Sequence, residues 1–246
     1  MDSLLNAPLL AAGLQRGDII GFTFFTGYMS LLAATAFFLF ERPKFEAKWQ
    51  LSLLVSALIT GIAGVHYYYM RSVWVESGQS PIEFRYIDWT LTVPLMCVEF
   101  YLLLRPYGAA SSLLWKLIAA SLLMLVTGYI GEAIQPESTI FWGTVSTIGW
   151  AYIVYEVTIG SVAKMAKDNA EPHVGKAVSL LRLFVLIGWA IYPIGYMLMP
   201  GNLLSGIGIA PSNMDLVYNI GDAVNKIGFG LVIYTMASTS LAQKNA

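Results

Sequence analysis

Leu216–Ala237 reads LVYNIGDAVNKIGFGLVIYTMA, and its only charged residues are Asp222 and Lys226. A helix of these 22 residues is long enough to cross the hydrocarbon core of a bilayer. Placing an ammonium group in that core costs about 2.5–3.5 kcal/mol on insertion scales, so a lysine there is a candidate functional residue. Because Asp222 lies four residues before Lys226, the two side chains are predicted to share one helix face.

Two interpretations of this pair follow from its chemistry. A buried lysine and a carboxylate can form an ion pair that holds two helices together. Alternatively, the lysine amine can form a Schiff base with a carbonyl compound, and the protonated base then needs a carboxylate as its counter-ion. The rest of the sequence decides between these two interpretations.

The composition indicates a membrane protein rather than a soluble domain. Of the 246 residues, 57% are hydrophobic and 12% are charged, whereas soluble domains are about a quarter charged. Seven apolar stretches have the length of transmembrane helices and are too long for barrel strands. They are Ile19–Phe40, Trp49–Met70, Tyr86–Leu104, Leu113–Gly131, Ile140–Ala163, Ala177–Pro200 and Leu216–Ala237. We expect a single all-α domain over 1–246, a seven-transmembrane-helix bundle with an N-terminal tail at 1–17 and a C-terminal tail at 238–246.

Basic residues are distributed unevenly between the two sides of the predicted bundle. One side, formed by the first, third and fifth connections and the C-terminal tail, holds most of them. They are Arg42, Lys44, Lys48, Arg105, Lys116, Lys164, Lys167, Lys176 and Lys244. The opposite side holds Arg16 and Arg71. The positive-inside rule therefore predicts that the N-terminus lies outside the cell and the C-terminus lies in the cytoplasm.

Several other kinds of site are not indicated by the sequence. The two histidines, His66 and His173, are far apart, so no metal-ligand cluster is expected. No glycine-rich phosphate loop, nucleophile elbow or nucleic-acid-binding stripe is evident. The single cysteine, Cys97, excludes an intrachain disulfide. We therefore expect a lipid bilayer as the partner of this chain, and neither a metal ion nor a nucleic acid.

The third apolar stretch carries a line of ionisable residues. Asp88 and Glu99 are eleven residues apart, which places them on one helix face about 16 Å apart along the axis. Thr92 lies one turn from Asp88 and can hydrogen-bond to it, and Arg85 lies one turn away in the other direction and can compensate its charge. Such residues can belong to an ordinary polar helix contact, but three ionisable groups on one apolar helix favour a proton path.

Three segments resemble the microbial (type 1) rhodopsins, and they are most similar to the proteorhodopsin and xanthorhodopsin branch. These segments are RYIDWTLTVPL at 85–95, GWAIYP at 188–193 and DAVNK at 222–226. The resemblance implies a light-driven outward proton pump of the bacterial inner membrane, with retinal bound to Lys226 as a protonated Schiff base. It implies that Asp88 is the proton acceptor and counter-ion, Asp222 the second counter-ion and Glu99 the cytoplasmic proton donor. It also implies a homo-oligomer, a pentamer or a similar ring.

The resemblance also implies which residues surround the chromophore. The implied retinal-binding residues are Trp89, Met96, Trp189, Tyr192, Pro193 and Tyr196. Met96 matches a colour-tuning position, where an apolar residue resembles the green-absorbing forms. His66 matches a histidine that pairs with the acceptor, which implies a hydrogen bond to Asp88.

Gly143 stands where many relatives carry a bulky residue beside the retinal ring. The resemblance to the xanthorhodopsin group implies a side window at this glycine, through which a carotenoid antenna lies against retinal. The alternative is that Gly143 allows two helices to pack closely, which is frequent in membrane bundles.

Three other functions are compatible with parts of the sequence: a sensory photoreceptor, an ion pump of different selectivity and a transporter without retinal. A sensory photoreceptor uses the same chromophore, but sensors commonly lack a carboxylate at the position of Glu99. Chloride pumps have a neutral residue in place of Asp88, and sodium pumps have Asn and Gln where Thr92 and Glu99 stand here. A transporter without retinal would use the Lys226 pair as a substrate site and would be colourless.

Overall fold

The computed structural model describes residues 17–208 and 211–245, and the regular elements in these ranges are all helical. The α-helices are α1 (Ile19–Glu41), α2 (Ala47–Ser77), α3 (Ile82–Leu104), α4 (Ser111–Tyr129), α5 (Thr139–Thr158), α6 (Ser161–Asp168), α7 (Pro172–Leu183), α8 (Ile191–Leu198) and α9 (Pro211–Asn245). One π-helical segment, Ile130–Ile134, extends α4, and another, Phe184–Gly188, joins α7 to α8. The predicted seven-helix bundle is therefore confirmed, with α7 and α8 together forming the sixth long segment.

The bundle has the surface of a multi-pass membrane protein. Within the described ranges, five helical segments are long and apolar enough to cross a membrane, and α5 and α9 fall outside this set. The outer surface exposes large apolar side chains, among them Phe40 at 79%, Ile187 at 70% and Ile148 at 60%. Apolar surface of this kind is suited to lipid contact, and helices satisfy their own backbone groups there.

Neighbouring helices pack side by side, and α9 closes the bundle. Each of α1 to α4 contacts the helix that follows it, and α9 packs against α1, α2 and α7. The ionisable residues of α3 and α9 lie in the interior of this arrangement. Asp88, Glu99 and Asp222 are 0% exposed, and Lys226 is 3% exposed.

The fifth helix ends earlier than the predicted stretch Ile140–Ala163. Helix α5 ends at Thr158, and the separate helix α6 begins at Ser161. The carboxylate of Glu156 accounts for this break, because it accepts hydrogen bonds from the Ser161 backbone nitrogen at 2.7 Å and from the Tyr152 hydroxyl at 2.9 Å. A carboxylate at this position accepts a hydrogen bond from a free N–H group and interacts favourably with the positive end of the α6 dipole.

The sixth and seventh segments also differ from their predicted bounds. The sixth begins at Pro172, where a proline suits the first turn because no N–H bond is lost there. It is interrupted by its π-helical segment and ends at Leu198, so Ala177–Pro200 is not one regular helix. The predicted C-terminal tail is helical through residue 245, because α9 continues beyond Ala237. The predicted N-terminal tail, apart from Gly17, lies outside the described residues.

Helices α4 and α5 approach closely at Gly149. A Cβ atom on this residue would lie 2.5 Å from the backbone oxygen of Ala120 and 2.9 Å from the backbone nitrogen of Met124. Because backbone atoms cannot rotate away, a side chain here would force the two helices apart. We expect Gly149→Ala to lower the free energy of unfolding by about 1–3 kcal/mol, seen as a lower midpoint of thermal unfolding in detergent. Gly206→Ala is the control, because a Cβ atom there meets nothing within 4 Å in the ranges that the structure describes; equal midpoints for the two variants would contradict the prediction.

Candidate functional site

The Lys226 amine lies between two buried carboxylates. Its Nζ atom is 2.9 Å from Oδ2 of Asp88 and 3.1 Å from Oδ1 of Asp222. Helix α3 supplies Asp88, and α9 supplies both Lys226 and Asp222 through their spacing of four residues. The structure therefore brings together the three residues on which the predicted function depends.

Asp222 receives hydrogen bonds from three further side chains. The Tyr67 hydroxyl donates to Oδ2 at 2.7 Å, and the Tyr192 hydroxyl donates to Oδ1 at 2.5 Å. The Trp89 indole nitrogen lies 3.2 Å from both oxygens. These donors come from α2, α8 and α3, so several helices hold Asp222 in place. Donors of this kind favour the ionised carboxylate, because each bond is stronger to a charged acceptor.

Asp88 has far fewer donors than Asp222. Its Oδ2 atom accepts from Lys226, while Oδ1 has no hydrogen-bond partner among residues 17–208 and 211–245. Thr92 does hydrogen-bond to Asp88, but its hydroxyl donates to the Asp88 backbone oxygen at 2.9 Å and not to the carboxylate. Threonines inside helices commonly bond to the carbonyl one turn earlier. Asp88 is thus free to take up a proton at Oδ1.

His66 lies beside Asp88 without the predicted hydrogen bond. Its Nδ1 atom is 3.7 Å from Oδ1 of Asp88, which is beyond hydrogen-bond range. The same nitrogen lies 2.9 Å from the Ile62 backbone oxygen. Since a carbonyl oxygen only accepts, Nδ1 carries a hydrogen, and its N–H group is close enough to influence Asp88 electrostatically.

Arg85 was expected to compensate the charge of Asp88, but its ion pair is with Asp215. Its Nη2 atom is 2.7 Å from Oδ1 of Asp215 and 3.1 Å from the side-chain oxygen of Asn219. Asp215 is 1% exposed, and like Tyr67 it belongs to the site without having been predicted. The signal for it is the spacing on α9, because Asp215, Asn219 and Asp222 follow one another at helical intervals of four and three.

Glu99 is a second buried carboxylate on α3. Ser56 of α2 donates to Oε1 at 3.2 Å, and Oε2 has no hydrogen-bond partner in the part of the chain that the structure describes. No cation lies within ion-pair distance of Glu99 among those residues. An ionised carboxylate with so few partners is costly to bury, so this environment favours a bound proton.

An aromatic cavity of about 130 Å³ lies next to the charged residues. Six of the seven residues predicted to surround a chromophore or its antenna line it. They are Trp89, Gly143, Trp189, Tyr192, Pro193 and Tyr196. Met96 is 2% exposed but is not part of this lining, and its colour-tuning role stays a prediction. Trp89 and Tyr192 line the cavity and also donate to Asp222, so these two side chains connect the cavity to a carboxylate that contacts Lys226.

The space beside Gly143 is filled by the ring of Tyr196. A Cβ atom on Gly143 would lie 2.6 Å from Cε1 of that ring. Tyr196 is held there by Thr139, whose hydroxyl donates to the Tyr196 oxygen at 2.7 Å and whose backbone oxygen accepts from it at 2.9 Å. Any larger side chain at position 143 must therefore displace Tyr196.

Comparisons with known proteins show which proteins this chain is similar to. A family model described as "Bacteriorhodopsin-like protein" matches residues 18–240. The blue-light absorbing proteorhodopsin of Gamma-proteobacterium Hot 75m4 is 46% identical over 242 residues, which is 96% of this chain and 94% of that protein. The green-light absorbing proteorhodopsin of Gamma-proteobacterium EBAC31A08 is 45% identical over 242 residues, 96% of this chain and 95% of that protein.

Solved structures give the same result at the level of the fold. A blue light-absorbing proteorhodopsin from Med12 is 39% identical with a TM-score of 0.77, over 91% of this chain and 100% of that chain. Xanthorhodopsin, described as a light-driven ion pump with dual chromophore, is 28% identical with a TM-score of 0.76, over 92% of this chain and 95% of that chain.

The position of His66 predicts an effect on the protonation of Asp88. We expect His66→Ala to move the midpoint of the acid colour change of the retinal-loaded protein to higher pH by about half a unit, because a nearby N–H dipole that favours the carboxylate is lost. The measurement is a titration of the visible absorption spectrum. Tyr69→Phe is the control, since Tyr69 is on the same helix and 51% exposed. An unchanged midpoint in His66→Ala would argue against any influence of His66 on Asp88.

Proposed function

The chain belongs to the bacteriorhodopsin-like family, and we propose from this premise that it is a light-driven outward proton pump with retinal on Lys226. The observation that carries the proposal is the placement of the buried Lys226 amine 2.9 Å from Asp88 and 3.1 Å from Asp222. A lysine held this way can bind a carbonyl compound and keep the resulting cation paired. The family and its proteorhodopsin members support retinal as that compound.

The residues around Lys226 fit this group. The amine is buried and lies between its two carboxylates, and the aromatic cavity is lined by two of the side chains that donate to Asp222. Trp189 and Pro193 line the cavity, and Trp89 and Tyr192 connect it to Asp222. When bound, retinal supplies the absorption of visible light and a light-driven change of shape at the Lys226 nitrogen.

The two counter-ions differ in their ability to accept a proton. Asp222 is held as a carboxylate by two tyrosines and one tryptophan, whereas Oδ1 of Asp88 has no protein donor in the described ranges. A proton that leaves the Lys226 nitrogen therefore goes to Asp88, which lies 2.9 Å away. This transfer neutralises a buried cation and a buried anion together, which removes two charges from a low-dielectric environment.

Glu99 can return a proton to the Lys226 nitrogen from the other side. It lies eleven residues beyond Asp88 on α3, about 16 Å along the helix axis. Its surroundings favour the protonated form, so it can hold a proton until the nitrogen becomes basic. With the C-terminus in the cytoplasm, as the basic residues indicate, Glu99 faces the cytoplasmic side and net transport is outward.

A sensory photoreceptor is the alternative with the same fold and chromophore. It needs the Lys226 site but not a buried proton donor on the opposite side of it. Glu99 is fully buried and has no paired cation among the described residues, which therefore favours the pump.

Illumination of cells that express the chain with retinal tests the pump directly. We expect the medium to acidify in the light, and a protonophore to abolish the effect. Lys226→Ala should remove both colour and acidification, because it removes the site of attachment, whereas Asp88→Asn should keep the colour but not the acidification.

Glu99→Gln should keep the colour and slow steady-state pumping by about tenfold or more, measured as the initial rate of acidification. Glu83→Gln is the control, because Glu83 is exposed on the same helix. A coloured protein that never acidifies the medium would favour the sensor.

A carotenoid antenna at Gly143 forms a second part of the proposal. Xanthorhodopsin is described as having a dual chromophore, and Gly143 of this chain lines the cavity beside Tyr196. Without a side chain at position 143, an elongated polyene can approach the cavity wall from the lipid.

A substitution at Gly143 tests for this antenna. In protein loaded with retinal and a carotenoid, we expect Gly143→Trp to abolish the carotenoid band in the excitation spectrum, because the indole displaces Tyr196 and covers the approach. The retinal absorption band should remain. Ile148→Trp is the control, since Ile148 is 60% exposed on the same helix and does not line the cavity. A carotenoid excitation band that survives in Gly143→Trp would contradict the antenna.

A further inference from the structure

Arg85 is bound to α9 by an ion pair that the proton path does not use. Its guanidinium donates to Asp215 at 2.7 Å and to Asn219 at 3.1 Å. Ser80 also donates to the same oxygen of Asp215, at 2.9 Å. Arg85 and Asp215 are 2% and 1% exposed, so their interaction is little weakened by solvent.

Aromatic rings hold the guanidinium in this position. Its carbon atom lies 5.2 Å from the ring centre of Tyr218, 5.8 Å from that of Phe24 and 6.0 Å from that of Trp89. Cation–π contacts at these distances favour the charge in the present orientation. The Asn219 amide is fixed in turn, because it donates to the Thr23 hydroxyl at 3.0 Å. Residues of α1 and α9 therefore orient the guanidinium, although Arg85 itself belongs to α3.

Four buried polar atoms around this ion pair and the acceptor have no hydrogen-bond partner in the described part of the chain. They are Nε and Nη1 of Arg85, Oδ2 of Asp215 and Oδ1 of Asp88. Arg85 and Asp88 are three residues apart on α3, which places them on neighbouring positions of one helix face. The guanidinium therefore has free donors, and Asp88 has a free acceptor, within one helical turn.

We propose that Asp215 is a positioning residue that sets the proton affinity of Asp88 by holding Arg85 on α9. Asp215 neutralises the guanidinium and holds its Nη2 atom on α9. Asp88 is consequently left with less positive charge nearby than the sequence of α3 suggests, and it accepts a proton more readily. This inference rests on the proposed function, because it concerns the same proton acceptor.

Other charged and titratable groups face these two carboxylates, and none of them is altered by a substitution at Asp215. Asp88 faces Lys226 and Asp222 of α9 and His66 of α2. Asp215 faces Arg85, with Glu132 and Tyr218 nearby. A change at Asp215 therefore alters the charge balance through Arg85 while the Lys226 pairs are kept.

The test is a titration of the visible colour of the retinal-loaded protein. Removing the Asp215 charge leaves the Arg85 cation uncompensated, and a nearby cation favours the ionised form of Asp88. We expect Asp215→Asn to move the midpoint of the acid colour change to lower pH by about one unit. Asp215→Glu should keep the midpoint of the unchanged protein. A midpoint for Asp215→Asn that stays the same or rises would overturn the proposal.

The dependence on Arg85 is tested in a second background. In protein carrying Arg85→Gln, the shift caused by Asp215→Asn should fall to less than half. An equal shift in both backgrounds would show that Asp215 acts without Arg85, which also overturns the proposal.

Asn219→Asp provides an independent variant if Asp215→Asn does not fold. It adds a second negative charge beside the guanidinium, so the midpoint should move to higher pH; a midpoint that stays or falls counts against the proposal.

The proposed function and the proposed role of Asp215 fail in different ways. An unchanged protein that remains colourless with retinal contradicts the role of Lys226, whereas a coloured protein whose variants share one midpoint contradicts only the role of Asp215.

Discussion

The structure depends on balancing one buried cation, the Lys226 amine, inside a membrane. An ammonium group without partners in this environment is strongly unfavourable, so its position is stable only with carboxylates in contact. Two carboxylates at 2.9 and 3.1 Å provide that balance and leave one excess negative charge. Arg85 and Asp215 form a second pair that adds no net charge when both are ionised. Because two carboxylates contact the Lys226 amine, one of them can take up a proton while the other remains as its charged partner.

The contrast between Asp88 and Asp222 shows how identical side chains acquire different roles. Both are 0% exposed and both contact the same nitrogen. Asp222 is surrounded by donors from α2, α3 and α8, so its negative charge is spread over fixed dipoles. Among the described residues, the hydrogen bond that the Asp88 carboxylate accepts comes from Lys226, so in the proposed pump this stabilisation is lost when the proton moves. Under the proposed function, this difference in partners, rather than in residue type, makes Asp88 the acceptor and Asp222 the permanent counter-ion.

The sequence is sufficient to predict the seven helices and the central residues of the site. Asp88, Glu99 and Lys226 are recognisable because charges in apolar stretches are rare, and Asp222 because it lies one turn from Lys226. The partners of Arg85 and His66 could not be predicted in this way. A long side chain such as arginine can reach donors and acceptors on several helices, and its choice depends on how α3 and α9 are placed in the bundle. Thr92 and His66 each bond to a backbone oxygen of their own helix, an option that side-chain spacing does not reveal.

The break in the sixth helical segment explains how the aromatic cavity and the charged residues come together. A regular helix through Phe184–Gly188 would give Trp189 and Tyr192 a different rotation about the axis, since a π-helical segment inserts an additional residue into the turn. The segment ends where Asn225 of α9 donates to the Gly188 backbone oxygen at 3.0 Å. This hydrogen bond takes the place of one within the helix. It fixes the π-helical segment against Asn225, the residue that precedes Lys226. Tyr192 can then line the cavity with its ring and donate to Asp222 with its hydroxyl, so one irregular turn connects the apolar and the charged halves of the site.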